Sequence, residues 1–285
     1  MIALDDLLAW IRDPPKDYCR RVLELSLPES RESEDDEPFE HSGLDTWQLN
    51  DALLARLARR PDADDAWLAE CLRAEGLLRA GRLGDADARD AIATVRRLVD
   101  IKRSKFGDAP PESREVELPV GSVMLRGRLD NLVHGVPVRL RAGGARGPDW
   151  LALAAAAKLV DAGEAWFLGI EKGNAVVKSL DATLIPDTWL PHVVLLYASS
   201  RARFLPLTRR ASWDYSQAAA DPEAARRKAK QTLAPRRRDD DTRAEIDDPH
   251  VALLWRGRAQ EIDAEFEAVA TAVYGALAPA ITVAP

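Results

Sequence analysis

The chain has 285 residues, 46% of them hydrophobic and 31% charged, with a formal net charge of −7. This suits a soluble globular protein of one large or two small domains, and excludes a surface that grips nucleic acid on every side. The charge is uneven: residues 1–100 carry 14 Lys/Arg against 23 Asp/Glu, whereas residues 201–243 carry 12 against 6. Such a basic segment faces a phosphate backbone, an acidic partner or simply solvent.

Along the chain, Ile2, Leu4, Leu7, Leu8 and Ile11 recur at helical spacing, and Asp13-Pro14-Pro15 ends that helix. Asp5 and Asp6 interrupt the first apolar stretch, so no signal peptide is expected. The apolar run 150–162, broken by Lys158 and Asp161, is too short to span a bilayer. A cytoplasmic location is the resulting expectation. A second short helix covers 18–25. The stretch 28–38 is strongly acidic, has no apolar residue between its prolines, and predicts a mobile loop. Helices are expected at 49–57, at 65–78 with a cap from the Asp cluster at 62–65, and at 86–101 after a turn punctuated by Gly76, Gly81 and Gly84. Cys19 and Cys71 lie in helix-like patterns without metal-ligand spacing and read as reduced thiols.

The character changes at Pro110-Pro111. Segments 115–120, 123–132 and 136–141 alternate or carry β-formers and predict a three-stranded meander. A helix over 150–162, with Gly163 just past its end, precedes strands at 165–170 and 174–180 and a helix over 188–201. Asp221-Pro222-Glu223 starts a further helix, with Pro235 beyond its end. Asp248-Pro249 starts another through Trp255, closed by Gly257, and 262–277 is a final amphipathic helix. The expected fold is α/β, a central mixed sheet flanked by helices. It forms a single domain with an N-terminal helical part (1–108), an α/β core (109–201) and a C-terminal helical part (202–285).

Meander, helix and strand over 115–170 follow the layout of the PD-(D/E)XK nuclease core, which holds Mg²⁺ with carboxylates on two adjacent strands beside a lysine. Gly127-Arg128-Leu129-Asp130 matches the first of those strands. The second reads Val138-Arg139-Leu140-Arg141, with Arg139 in the acid position and Arg141 in the lysine position. A unit positive charge about 4 Å from a dication, at an effective dielectric near 20, is unfavourable by roughly 8 kcal/mol. No Asp or Glu lies between Asp130 and Asp149 to compensate. The site therefore reads as degenerate, with no catalytic residue, no metal and no cofactor. The histidine that RecB-type nucleases carry on an early helix has no counterpart in 74–84. His41, His134, His192 and His250 are scattered over unrelated contexts. No Gly-x-x-x-x-Gly-Lys-Ser/Thr loop supplies an ATPase site.

Six segments in order resemble the C-terminal domain of RecC-type subunits, the gamma chain of bacterial exodeoxyribonuclease V. They are 10–21 with its Pro14-Pro15 turn, Asp35-Asp36-Glu37-Pro38-Phe39 with Gly43-Leu44, and Ala74-Glu75-Gly76-Leu77-Leu78, where Arg79 replaces an expected proline. The others are 204–213 with Leu205-Pro206 and Ser212-Trp213, 248–257, and 266–277. The resemblance implies an inactivated nuclease-like domain of a longer subunit. It implies partners of RecB and RecD type, the remainder of RecC, and duplex and single-stranded DNA. The implied role is scaffolding and strand guiding in double-strand-break repair and recombination, within a complex that is an ATP-dependent helicase and exodeoxyribonuclease. Arg139, Arg141, Arg209 and Arg210 are the expected DNA contacts, although the same arginines suit an acidic face of a RecD-type partner. An active Mg²⁺-dependent nuclease and a purely structural module remain the alternatives.

Overall fold

The computed structural model describes residues 1–28, 43–234, 244–256 and 262–283. The acidic stretch from residue 29 to 38, Pro235 and Gly257 lie outside them.

A strand of two residues, β1 (Ile2–Ala3), leads into α1 (Leu4–Arg12), whose Leu4, Leu7, Trp10 and Ile11 are buried. Pro14 disfavours the α conformation at the residue before it. Asp13 accordingly takes φ −157° and ψ 82°, ends α1, and caps α2 (Pro14–Arg21) by accepting the Lys16 N–H. α3 (Gly43–Arg59), α4 (Asp65–Ala74) and α5 (Gly81–Phe106) follow; the Asp64 carboxylate caps α4 through the Trp67 N–H. Gly81 and Gly84, expected in a turn, fall inside the first turn of α5, where Gly84 and Ala88 are buried.

β2 (Glu112–Val120), β3 (Val123–Val133) and β4 (Val136–Leu140) form the expected meander. α6 (Gly147–Val160) crosses over so that β4 pairs in parallel with β5 (Glu164–Glu171), which then pairs antiparallel with β6 (Asn174–Asp181). The β3–β4 and β5–β6 hairpins turn on His134-Gly135 and Lys172-Gly173, both residues of each pair at positive φ. That twist matches the flanking strands, and glycine adopts it without a Cβ clash. α6 ends at Asp161, which takes the left-handed conformation (φ 58°) expected of Gly163. A short polar side chain tolerates that region better than most.

α7 (Trp189–Ser199), α8 (Ala211–Gln217), α9 (Pro222–Leu233), α10 (Pro249–Leu254), α11 (Ala264–Tyr274) and β7 (Ile281–Val283) complete the chain. Asp221 and Asp248 cap α9 and α10 as their Asp-Pro signatures predict. Among the described residues, seven strands form one mixed sheet in the order β1-β3-β4-β5-β6-β7, with β2 on the other edge of β3. β1 joins β3 in parallel and β7 joins β6 antiparallel. Neither strand is long enough to show a period in the sequence.

One face of the sheet packs on α1, α6, α7 and α11 through residues such as Trp10, Leu125, Phe167 and Val193. The other packs on α3, α4 and α5 through Leu53, Leu72, Val95 and Leu168. A third cluster, with Tyr215, Leu233, Trp255 and Phe266, joins α8, α9, α10 and α11. Both cysteines are free thiols, Cys19 buried and Cys71 half-buried. Among the described residues no helix is long and apolar enough to cross a membrane.

Candidate functional site: an arginine-lined cleft

The Gly127–Asp130 segment does not deliver its carboxylate to β4. Arg114 of β2 lies opposite Leu129, but Glu112 lies opposite Leu132, so three residues of β3 span two of β2. This bulge, with Asn131 at φ 63°, re-aims the side chains that follow it. Leu129 enters the core, while Asp130 accepts hydrogen bonds from Ser113 Oγ at 2.6 Å and Arg128 Nε at 3.0 Å on an exposed face. Those bonds, Ser113 first, hold its carboxyl below the usual range. Gly127 has a packing role: a Cβ there would lie 2.5 Å from Leu4 Cβ, so its absence lets α1 lie against β3.

Arg139 and Arg141 leave β4 on the face opposite Val138 and Leu140, which pack on the α3–α5 side. Both meet Asp149 in the first turn of α6. Arg141 Nη1 donates to Oδ2 at 2.6 Å, and Arg139 Nε lies 2.7 Å from Oδ1 as an ion pair off the hydrogen-bonding axis. The Arg146 N–H donates to the same carboxylate at 2.9 Å. The Asp149 side chain is only 4% exposed. A buried anion in a first helical turn is favoured by the helix dipole, and here it fixes two guanidiniums side by side.

These groups line a cleft of about 1020 Å³. Arg12 contributes from the end of α1, Trp47 and Asp51 from α3, Arg146 and Pro148 from the start of α6, and Arg209 and Arg210 from the segment before α8. All four arginines expected to meet DNA thus converge on one cleft; Asp130 does not. Six arginines face two carboxylates.

Arg209 also ties helices together. It lies 3.2 Å from Asp13 and 3.4 Å from Asp248, the caps of α2 and α10. Burial pushes the Asp13 carboxyl up, and Arg209 opposes that rise. The backbone N–H groups of Arg210 and Ala211 donate at 2.9 and 2.8 Å to Glu245, whose burial raises its carboxyl. His250 is buried with Nδ1 3.0 Å from Asp248, and His134 contacts the Phe106 carbonyl; neither lines the cleft.

Sequence reasoning missed Arg12, Trp47, Arg146 and Asp149, which come from three separate helices and a loop. The available signal was for Asp149: an acid just after Gly147-Pro148 marks a first helical turn. Among the described residues no three His, Cys, Asp or Glu side chains converge as a metal centre. Asp149 is already neutralised by two guanidiniums, so the cleft does not fit a dication, which needs free oxygen ligands.

A family model described as the RecC C-terminal domain matches residues 1–220. Two proteins named RecBCD enzyme subunit RecC, from Mycobacterium tuberculosis strains CDC 1551 / Oshkosh and ATCC 25618 / H37Rv, are each 28% identical over 279 residues. The match covers 91% of this chain and 25% of each relative, so the chain spans about a quarter of their length. With the family match running from β1 into the α8–α9 turn, across the whole cleft, the chain belongs to the RecC C-terminal domain family.

Proposed function

We propose that this chain is a non-catalytic, nuclease-like domain of a RecBCD-type helicase–nuclease, acting as scaffold and DNA guide in double-strand-break repair and recombination. One observation carries the reading: Arg139 and Arg141, in the acid and lysine positions of a PD-(D/E)XK second strand, both clamp Asp149. A cleft held this way presents cationic donors where metal-dependent hydrolysis needs oxygen ligands. The order β2–β3–β4, α6, β5 supports a degenerate core of that nuclease type. The names of the relatives support RecB- and RecD-type partners and the rest of RecC; a cytoplasmic setting is part of the same proposal. The arginine excess supports contact with duplex or single-stranded DNA. Neither a metal nor a cofactor enters this role.

The test is incubation of the chain with linear duplex and single-stranded DNA in Mg²⁺ or Mn²⁺. No degradation is expected. Degradation that disappears in Asp130→Ala or Asp149→Ala would overturn the reading.

A further inference from the structure

We infer that the free edge of β2 docks an extended segment of a partner polypeptide, one that alternates cationic and apolar residues and joins the sheet as a further strand. Among the described residues β2 pairs with β3 alone, so its other edge carries no strand. Val120 faces Val123 across the two-residue turn Gly121-Ser122, with Gly121 at φ 56°, and the backbone groups of such a closing pair bond within the hairpin. By the alternation of an antiparallel ladder, Leu118 and Val116 also bond to β3. The N–H and C=O groups of Glu115 and Glu117, and the Pro119 C=O, therefore point outward. Pro119 fits this phase, because a proline in a sheet sits where its missing N–H faces away from the ladder. Among the described residues no turn or loop backbone bonds to Glu115, Glu117 or Pro119.

The two sides of this edge differ in chemistry. Val116, Leu118 and Val120 face the core that α1, α6 and α7 cover. Glu115 and Glu117 face the other way, where α3, α4 and α5 pack on β4, β5 and β6 but on no residue of β2. Both glutamates are exposed. Glu117 pairs with Arg126 of β3 at 2.9 Å. Arg128 lies opposite Glu115 but turns to Asp130 at 3.0 Å and to Ser113 at 2.8 Å. The Glu115 carboxylate thus forms no ion pair among the described residues.

These features specify the occupant. A strand laid along the edge takes its affinity from the outward backbone groups and its specificity from alternate side chains. Its residues opposite Glu115 and Glu117 would have their Cβ atoms about 5 Å from those of the glutamates, so lysine or arginine is favoured there. The residues between them fall beside Val116 and Leu118, which favours apolar side chains. A second copy of the chain is a poor occupant. Antiparallel self-pairing centred on Val116 would set Glu115 against Glu117 on both sides of the centre, and like charges directly opposite destabilise a sheet. Acidic side chains and a proline guard an edge against indiscriminate pairing, and here they leave it open to a cationic strand.

The experiment is fluorescence anisotropy of the chain with three labelled peptides: one alternating Lys and Val, one alternating Glu and Val, and one of the first peptide's composition with its lysines and valines in separate blocks. The alternating Lys/Val peptide should bind most tightly and slow hydrogen exchange at the Glu115 and Glu117 amides. Glu115→Pro removes an outward N–H and leaves the β2–β3 ladder intact, so it should abolish binding, whereas Glu115→Gln should only weaken it. Glu115→Lys/Glu117→Lys should weaken the Lys/Val peptide about tenfold and turn the preference to the Glu/Val peptide. Far-UV circular dichroism and thermal melts check that each variant is folded.

Absence of binding by the alternating Lys/Val peptide overturns the inference. Equal binding of the block peptide also overturns it, since that shows attraction to an acidic chain without strand addition. Undiminished binding to a folded Glu115→Pro variant, or unchanged exchange at the two amides, places the peptide away from the β2 edge. A charge-reversed variant that keeps the wild-type preference shows that Glu115 and Glu117 do not select the partner.

Discussion

Asp149 is the residue on which the cleft's geometry depends. Two guanidiniums and a backbone N–H converge on one buried carboxylate, so removing its charge strands Arg141, which is only 18% exposed. Breaking a buried pair costs about 3–5 kcal/mol, and the partial exposure of Arg139 places Asp149→Asn near the low end, about 3 kcal/mol. Urea denaturation of wild type and variant measures this; a loss under about 1 kcal/mol would show that the arginines do not depend on that carboxylate. Asp130 illustrates the opposite case. Its sequence context suggested a site residue, but strand alternation sets it beside Arg128 and across from Ser113, just ahead of the bulge that changes the phase of the segment pairing with β4.

At the level of elements, α8 is notable for being capped from elsewhere in the chain. Its own N-cap residue, Arg210, offers no side-chain acceptor, and Glu245 takes the N–H groups of Arg210 and Ala211 instead. The backbone donors favour the ionised form of Glu245, but burial is the larger influence and raises its folded-state value above the ordinary 4.5. The folded chain therefore holds a proton that the unfolded chain releases. The associated stability is present below pH 4.5 and is lost as pH rises through the folded-state value. Glu245→Gln cannot titrate, so the advantage of wild type over this variant should be largest near pH 4.5 and shrink toward neutrality. Thermal melts of both proteins across that range test the sign. A difference independent of pH would mean that Glu245 titrates alike in both states.

For the molecule as a whole, strands from both ends of the chain join the sheet, β1 beside β3 and β7 beside β6, and α11 sits in two cores at once. Val269, Val273 and Tyr274 pack with the sheet, whereas Phe266 and Ala270 pack with α8, α9 and α10. We therefore propose the segments 1–108, 109–201 and 202–285 as parts of one folding unit. Trp10, Trp150 and Trp189 report on the sheet core and Trp255 on the C-terminal cluster. Tryptophan fluorescence and far-UV circular dichroism should accordingly give coincident denaturant transitions. Two separated transitions would show that the C-terminal cluster unfolds independently.

Most helices and the meander were legible in the sequence because their signals are local. Apolar spacing places α1, α5 and α11, strand alternation places β2 and β3, and Asp-Pro pairs start α9 and α10. The four arginines expected to meet DNA were also legible as residue types, two from the second nuclease-like strand and two from the basic segment. That they share one cleft was not. Their meeting depends on α6 folding back over β4 and on Arg209 binding the caps of two distant helices. β1, β7 and α8 were invisible for a related reason: two, three and seven residues carry too little periodicity, and partners remote in sequence stabilise each. Sequence alone therefore determined most of the elements that form and the residue types, Arg139 and Arg141 among them, that reach the cleft. Tertiary structure decided where those charges point, because a carboxylate distant in sequence fixes a guanidinium without leaving a local pattern.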